Sequence, residues 1–344
     1  AASDVYKRQT GESSTGMYAT GLGTTGENTG KIVLSGERAT GLGAADSAVI
    51  TNEKEISGTV KNVIGMYGKG SGTNVTNMKN INLLKENSTG IFTKDDAVAK
   101  NEIGENINLE GKNSVGIFGL ASAAGKKIDL TNKGIITLKG EGSTGIFASN
   151  IENPIGSGIY TGALTDSSIK NTGTITLDAK KTVGIYTPKS NISEVGNIIM
   201  TNKADSSVGV YLTQDAKADG TGSVIDLNSN SQNQVAYYIK GNGTILNSIG
   251  DIKGYGVGVY LDGTNSTGTA LATPAQLNAP ALDFVSGSST QGKGMIGLLL
   301  KGNTDISTYT GGITVGDSVL GGNSGDFYAI GIYTDGQGIP GTPA

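Results

Sequence analysis

Two short hydrophobic phrases alternate along the chain. The first is a β-branched residue, Gly, an aliphatic and an aromatic, as in Ile64-Gly65-Met66-Tyr67, Thr89-Gly90-Ile91-Phe92, Val115-Gly116-Ile117-Phe118 and Thr144-Gly145-Ile146-Phe147. It returns at Val183-Gly184-Ile185-Tyr186, Val208-Gly209-Val210-Tyr211, Val257-Gly258-Val259-Tyr260 and Ile330-Gly331-Ile332-Tyr333. From Gly65 to Gly90 is 25 residues, to Gly116 a further 26, and to Gly145 a further 29. The second phrase is apolar-polar-apolar: Ile81-Asn82-Leu83, Ile107-Asn108-Leu109, Ile136-Thr137-Leu138, Ile175-Thr176-Leu177 and Ile225-Asp226-Leu227. That period of two marks a half-buried strand. Asn-Thr-Gly and Asn-Lys-Gly clusters bracket it as turns.

One unit therefore reads as strand, turn, strand, turn in about 25 residues, with no helical period. A unit this small cannot bury its own apolar face, but stacked units can, with Ile above Ile and Leu above Leu. The predicted fold is all-β: a right-handed parallel β-helix, or β-solenoid, since parallel crossovers are right-handed. Eleven or twelve coils at about 4.8 Å give a rod of about 50–60 Å. The Gly of each phrase marks a bend or a place where a side chain would clash. Strand alternation puts the β-branched residue and the aliphatic on one face, which favours an inward aliphatic and an outer ladder of aromatics. That ladder is a structural stack or, on a sharper reading, a stripe for sugar stacking.

The period breaks in three places. Gly145 to Gly158 is 13 residues, with Asn153-Pro154 between; Gly258 to Gly297 is 39; Gly297 to Gly331 is 34. The expected organisation is regular coils over 10–263, an inserted loop over 264–293, and irregular further coils over 294–344, cut short at the C-terminus. Loops of this kind are where recognition often resides. Asp4-Val5-Tyr6-Lys7-Arg8-Gln9 reads like a translated sequencing adapter, so residues 1–9 are expected to lie outside the natural fold.

Composition narrows the chemistry. Of 344 residues, 56 are Gly and none is Cys, His or Trp. There is no thiolate nucleophile and no imidazole base or ligand. Lack of Cys suits an exported protein held unfolded in transit. Net charge is −4 and no basic run occurs, which argues against nucleic-acid binding. Gly21-Leu22-Gly23-Thr24-Thr25-Gly26 and Gly140-Glu141-Gly142-Ser143-Thr144-Gly145 match a dinucleotide fingerprint, but neither opens a helix. Ser167-Ser168-Ile169-Lys170 matches S-x-x-K without its partner motifs. Gly321-Gly322-Asn323-Ser324-Gly325-Asp326 is a single approximate calcium-type turn.

A polysaccharide-cleaving β-helix would need carboxylates in phase on neighbouring coils. The nearest approach is Asp226 with Asp251, whose registers differ, and Asp95-Asp96 is a turn pair. No residue is assigned a catalytic, cofactor-binding or metal-ligating role, and the binding residues are left open.

The unit Ile169–Tyr186 and the run Leu138–Phe147 resemble the passenger repeats of fusobacterial-type autotransporter adhesins, with N-x-G-x-I-x-L followed by x-S-x-G-I-Y. The resemblance covers most of residues 10–260. It implies a type V secretion passenger, displayed at the cell surface through its own C-terminal outer-membrane barrel. It further implies a non-enzymatic β-helical stalk that mediates or supports adhesion, with a surface protein or glycan of host cells or other bacteria as partner. The alternative is a secreted or phage-borne β-helix enzyme acting on polysaccharide.

Overall fold

The computed structural model describes residues 6–123, 125–150, 167–227, 231, 233–241, 243–265, 268–278, 282–285, 295–309, 313–314 and 329–335. Among the described residues every regular element is a strand. One coil runs Ile81–Leu83, Thr89–Lys94, Val98–Asn101, and the next begins at Asn106–Leu109. Successive coils lie on one another and build three parallel sheets of 12, 12 and 11 strands. The register is residue on like residue: Ile81 beside Ile107 and Leu83 beside Leu109 in the first sheet, Ile91 beside Ile117 and Phe92 beside Phe118 in the second. The fold is a three-sided parallel β-solenoid.

Each coil has three strands where the sequence pattern predicts two. The third strand, such as Val98–Asn101 or Asp129–Asn132, turns inward one apolar residue (Ala99, Leu130) and one Asn (Asn101, Asn132). A single inward apolar residue cannot produce a visible alternation, so this strand hides inside the predicted turn.

The Ile and Leu of the first sheet and the aliphatic after Gly in the second are fully buried, as at Ile136, Leu138, Ile117 and Ile146. Each such side chain contributes roughly 1.5–3 kcal/mol through burial. The aliphatic of the glycine phrase thus faces inward as expected, but the expected reason is corrected. Gly90 and Ile91 are both buried, whereas Thr89 and Phe92 are both half-buried on the outer face. The pairing passes from Thr89–Val115 directly to Ile91–Ile117, so alternation is interrupted at the glycine. A Cβ on Gly90 would lie 2.5 Å from the carbonyl oxygen of Gly116 and 2.7 Å from Ile107 Cγ2. Backbone there fills the space that a side chain would need.

The turn clusters have a second function. The Asn that ends each third-sheet strand from Thr25–Asn28 to Ser168–Asn171 is buried, and from Asn28 to Asn132 its amide donates to the Asn of the next coil. The chain of bonds runs Asn28 to Asn52 (2.9 Å), to Asn77 (2.8 Å), to Asn101 (2.8 Å), to Asn132 (2.9 Å), to Asn171 (2.7 Å). It ends where Asn171 Nδ2 donates to the Val195 carbonyl at 2.6 Å. All donors point the same way, so the bonds polarise one another.

Strands also occur in two segments expected to lie outside the regular coils. Tyr6–Gln9, within the segment expected to lie outside the fold, pairs in parallel with Lys31–Leu34. A ladder of backbone hydrogen bonds accepts any extended segment whatever its side chains. Within 264–293, expected as an inserted loop, Ala275–Leu277 joins the third sheet and Leu282–Val285 the first. Met295–Gly302 and Ala329–Asp335 continue the second sheet beyond it. The insertion around Asn153-Pro154, with Gly158, lies outside the described residues. The coil before it and the coil after it stay in register, with Asn132 beside Asn171.

One coil changes the centre of the phrase: Ala236 replaces Gly and Tyr237 replaces the aliphatic. Tyr237 is fully buried, and its hydroxyl shares a hydrogen bond with Ser223 Oγ at 2.9 Å. Gly220 makes the room, since a Cβ there would meet Tyr237 Oη at 2.6 Å. Burial pushes this phenol up to about 12, with hydrogen bonds from Ser223 and Gly250 opposing the rise. A raised phenol keeps its proton in the folded state, so its stabilisation is complete below the unfolded value of about 10. It is lost as pH rises towards about 12, for a total of roughly 2–3 kcal/mol. Melting temperature is therefore expected to fall across that alkaline window, and to fall less in Tyr237→Phe. An identical alkaline profile in the variant would show that Tyr237 does not control it.

Candidate functional site

The most distinctive outer feature is the ladder of rings on the second sheet. Tyr67, Phe92, Phe118, Phe147, Tyr186, Tyr211, Tyr238 and Tyr260 follow one another at centroid distances of 4.7–5.5 Å. From Phe92 onward neighbouring planes differ by only 5–21°. Each contact of this kind adds roughly 0.5–1.5 kcal/mol beyond burial. The ladder is bounded by Gly43 beside Tyr67 and Leu299 beside Tyr260. Parallel stacking covers both faces of the rings from Phe118 to Tyr238, so these rings offer edges and hydroxyls to solvent. Sugar stacking does not fit those rings, because stacking on a sugar needs a free ring face.

Chemistry concentrates at the tyrosine end. Tyr238 donates to Asp262 Oδ2 at 2.9 Å, and Lys240 Nζ lies 3.2 Å from the same oxygen. The backbone NH of Thr264 donates to Asp262 Oδ1 at 3.0 Å, and the Thr264 hydroxyl donates to it as well. Asp262 is 2% exposed. Its burial is the largest single influence and raises its pKa, but hydrogen bonds from Thr264, Tyr238 and Lys240 together outweigh it and hold the carboxyl below its usual range. Burial and the neighbouring carboxylate push the Tyr238 phenol well above its ordinary value.

Beside this cluster lies a cleft of about 540 Å³ over Tyr186 and Tyr211. Its floor comes from stacked turns between the second and third sheets, at Lys189, Gln214–Asp215 and Gly241; Thr264, Asn265 and Leu271 form a wall. Sequence reasoning did not single out these turn residues. They differ from coil to coil, and the only signal nearby is the long Gly258–Gly297 interval.

The residues flagged by motif have structural roles. In Gly140–Gly145, a Cβ on Gly140 would overlap the Gly111 carbonyl, Gly142 adopts a φ of 72°, and Gly145 is a rung of the glycine column facing Gly184. Gly21 and Gly23 have φ of 94° and 77°, and Gly26 faces Ile50. Ser168 and Lys170 lie on a strand, Ser168–Asn171, with Lys170 paired to Glu194. Asp95 accepts from the backbone NH and hydroxyl of Ser122 at 2.7 and 2.8 Å. Asp96 binds Lys126 Nζ at 2.9 Å and the Lys127 NH at 2.7 Å. This pair staples one coil's turn to the next. Asp226 sits beside Lys253, and Asp251 beside Val224, so the two carboxylates are out of phase. Gly321–Asp326 lies outside the described residues.

The chain matches no family model, no curated protein and no solved structure. What its geometry defines is a class, the three-sided parallel β-solenoid with an outer aromatic ladder.

Proposed function

We propose that the chain is a surface-displayed passenger segment of an autotransporter adhesin, a β-helical stalk that mediates or supports adhesion to host cells or other bacteria. The observation that carries this reading is the in-register stacking of one short unit through all three sheets. Such a chain folds by adding one coil to the last, which suits export through a pore from one end. The passenger-repeat resemblance of residues 169–186 supports the same reading. A polysaccharide-cleaving role has less support, because Asp226 and Asp251 do not share a register position.

Fusion of the chain ahead of an outer-membrane barrel in a Gram-negative host tests the proposal. The expected result is protease-sensitive chain on intact cells and increased adherence of those cells to epithelial monolayers or to other bacteria. Retention inside the cell overturns the passenger reading. Display with no gain in adherence overturns the adhesive one.

A further inference from the structure

We propose that the cleft over Tyr186 and Tyr211 binds a short neutral glycan, one or two sugar units long. The inference deepens the adhesive reading and takes its biological meaning from it, but its binding test does not depend on surface display.

The cleft exists because the chain leaves the repeat. Elsewhere the turns between the second and third sheets stack openly along one corner of the solenoid. After Gly263 the chain instead doubles back, so that Thr264 and Ala270 lie side by side. Thr264 bridges Ala270 in antiparallel fashion, and the Leu271 NH donates to the Gly263 carbonyl at 2.8 Å. Asn303 Nδ2, from a later coil, donates to the Leu271 carbonyl at 2.8 Å. The buried Asp262 anchors Thr264 from below. The wall is therefore held from two sides, which gives a preformed concavity. Its volume of about 540 Å³ lies within the ~300–1,000 Å³ typical of small-ligand clefts.

Its lining matches a polyol. Hydroxyls (Thr213, Tyr186, Tyr211) and amides (Gln214, Asn265) are interspersed, so donors and acceptors alternate over short distances. Tyrosine edges and Leu271 supply the apolar strip that a sugar's C–H groups require. Lys189 and Lys240 line the cleft, and they are balanced by Asp215 in the lining and Asp262 beneath it. The site thus lacks the excess positive charge that selects an acidic sugar. One group also lacks a partner: Thr213 is 9% exposed and its Oγ1 is buried without a hydrogen bond. A buried hydroxyl left unpaired costs about 1–3 kcal/mol, a cost that is relieved when rotation about χ1 turns it from the interior to a ligand hydroxyl in the cleft. Because the ring faces are covered by one another, recognition here proceeds through hydrogen bonds and ring edges.

The test uses the purified full chain on a printed array of neutral and acidic oligosaccharides. Saturation-transfer NMR with methyl glycosides of neutral hexoses and 2-acetamido hexoses then measures the affinity of those bound. The variant combines Thr213→Val, Tyr186→Phe and Tyr211→Phe. It removes three hydroxyls while keeping the shape of the site, and Phe already occupies three rungs of the same ladder. The expected result is saturable binding of a neutral saccharide, weakened about tenfold or more in the variant, as loss of three ordinary hydrogen bonds implies. Melting should be unchanged. Should the triple variant melt early, Thr213→Val alone, which deletes a hydroxyl without a partner, is expected to keep its fold and still bind more weakly. Three results overturn the proposal: no saturable neutral ligand, undiminished binding in the folded variants, or a preference for acidic sugars. A chain that is displayed and adhesive yet blind to neutral glycans would fail this inference alone.

Discussion

Ile175→Asp is expected to unfold the coils on either side of it and to cost at least about 4 kcal/mol, well beyond an ordinary single substitution. Ile175 is fully buried and stacks between Ile136 and Ile198. A carboxylate there meets only methyl groups. The column of glycines packs against it, since a Cβ on Gly145 would lie 2.7 Å from Ile175 Cγ2. Its described neighbours Ile136, Ile198 and Gly145 carry no charge, so the carboxylate stays unpaired or takes up a proton at a similar cost. Thr176→Asp, one residue on, reverses the direction of the side chain. It points outward between Thr137 and Ile199 and is expected to change stability by less than about 1 kcal/mol. Leu177→Asp should again be severe, since Leu177 is fully buried. Thermal melting followed by circular dichroism separates the three variants, and hydrogen exchange locates the damage. Because each coil touches chiefly its neighbours, protection should disappear near residue 175 and persist in coils several steps away. An unaltered melting curve for Ile175→Asp would refute an in-register apolar stack.

That contrast between adjacent residues is the part of the fold most legible in the sequence. A period of two names the buried residues, and a period of about 25 states that they stack. The remainder was harder to read for definite reasons. Alternation assumes a continuous pleat, but pairing omits the glycine of each phrase, so Thr89 and Phe92 share the outer face and the simple face assignment fails. The third strand carries one inward apolar residue, such as Ala99 or Leu130, and one residue alone gives no alternation to announce it. The candidate glycan cleft has no linear signature. Lys189, Gln214 and Gly241 come from turns of three successive coils, and Leu271 from a segment much further along. Only the lengthened Gly258–Gly297 interval hints that the chain does something there besides stacking.

Three members of the asparagine column, Asn28, Asn132 and Asn171, open the Asn-Thr-Gly and Asn-Lys-Gly clusters that the sequence pattern marks as turns. Asn28, Asn52, Asn77, Asn101, Asn132 and Asn171 recur at the coil spacing, and each is fully buried. A turn residue that only favours a left-handed bend has no need to be buried. These amides are therefore expected to behave as interior hydrogen-bonding groups, with a cost that depends on position in the column. In Asn101→Leu, Asn77 loses its acceptor and Asn132 loses its donor, from bonds of 2.8 and 2.9 Å. Two buried groups left unpaired cost roughly 2–6 kcal/mol. Asn28 begins the column, and its own Oδ1 already has no partner. In Asn28→Leu only Asn52 Oδ1 loses a donor, and the expected cost is roughly 1–3 kcal/mol. The inner substitution should thus lower the melting temperature clearly more than the outer one, although the residue exchange is identical. Equal effects at the two positions would mean that the column acts only through local turn geometry. A larger effect at Asn101 would show that its amide links the coil before it to the coil after it.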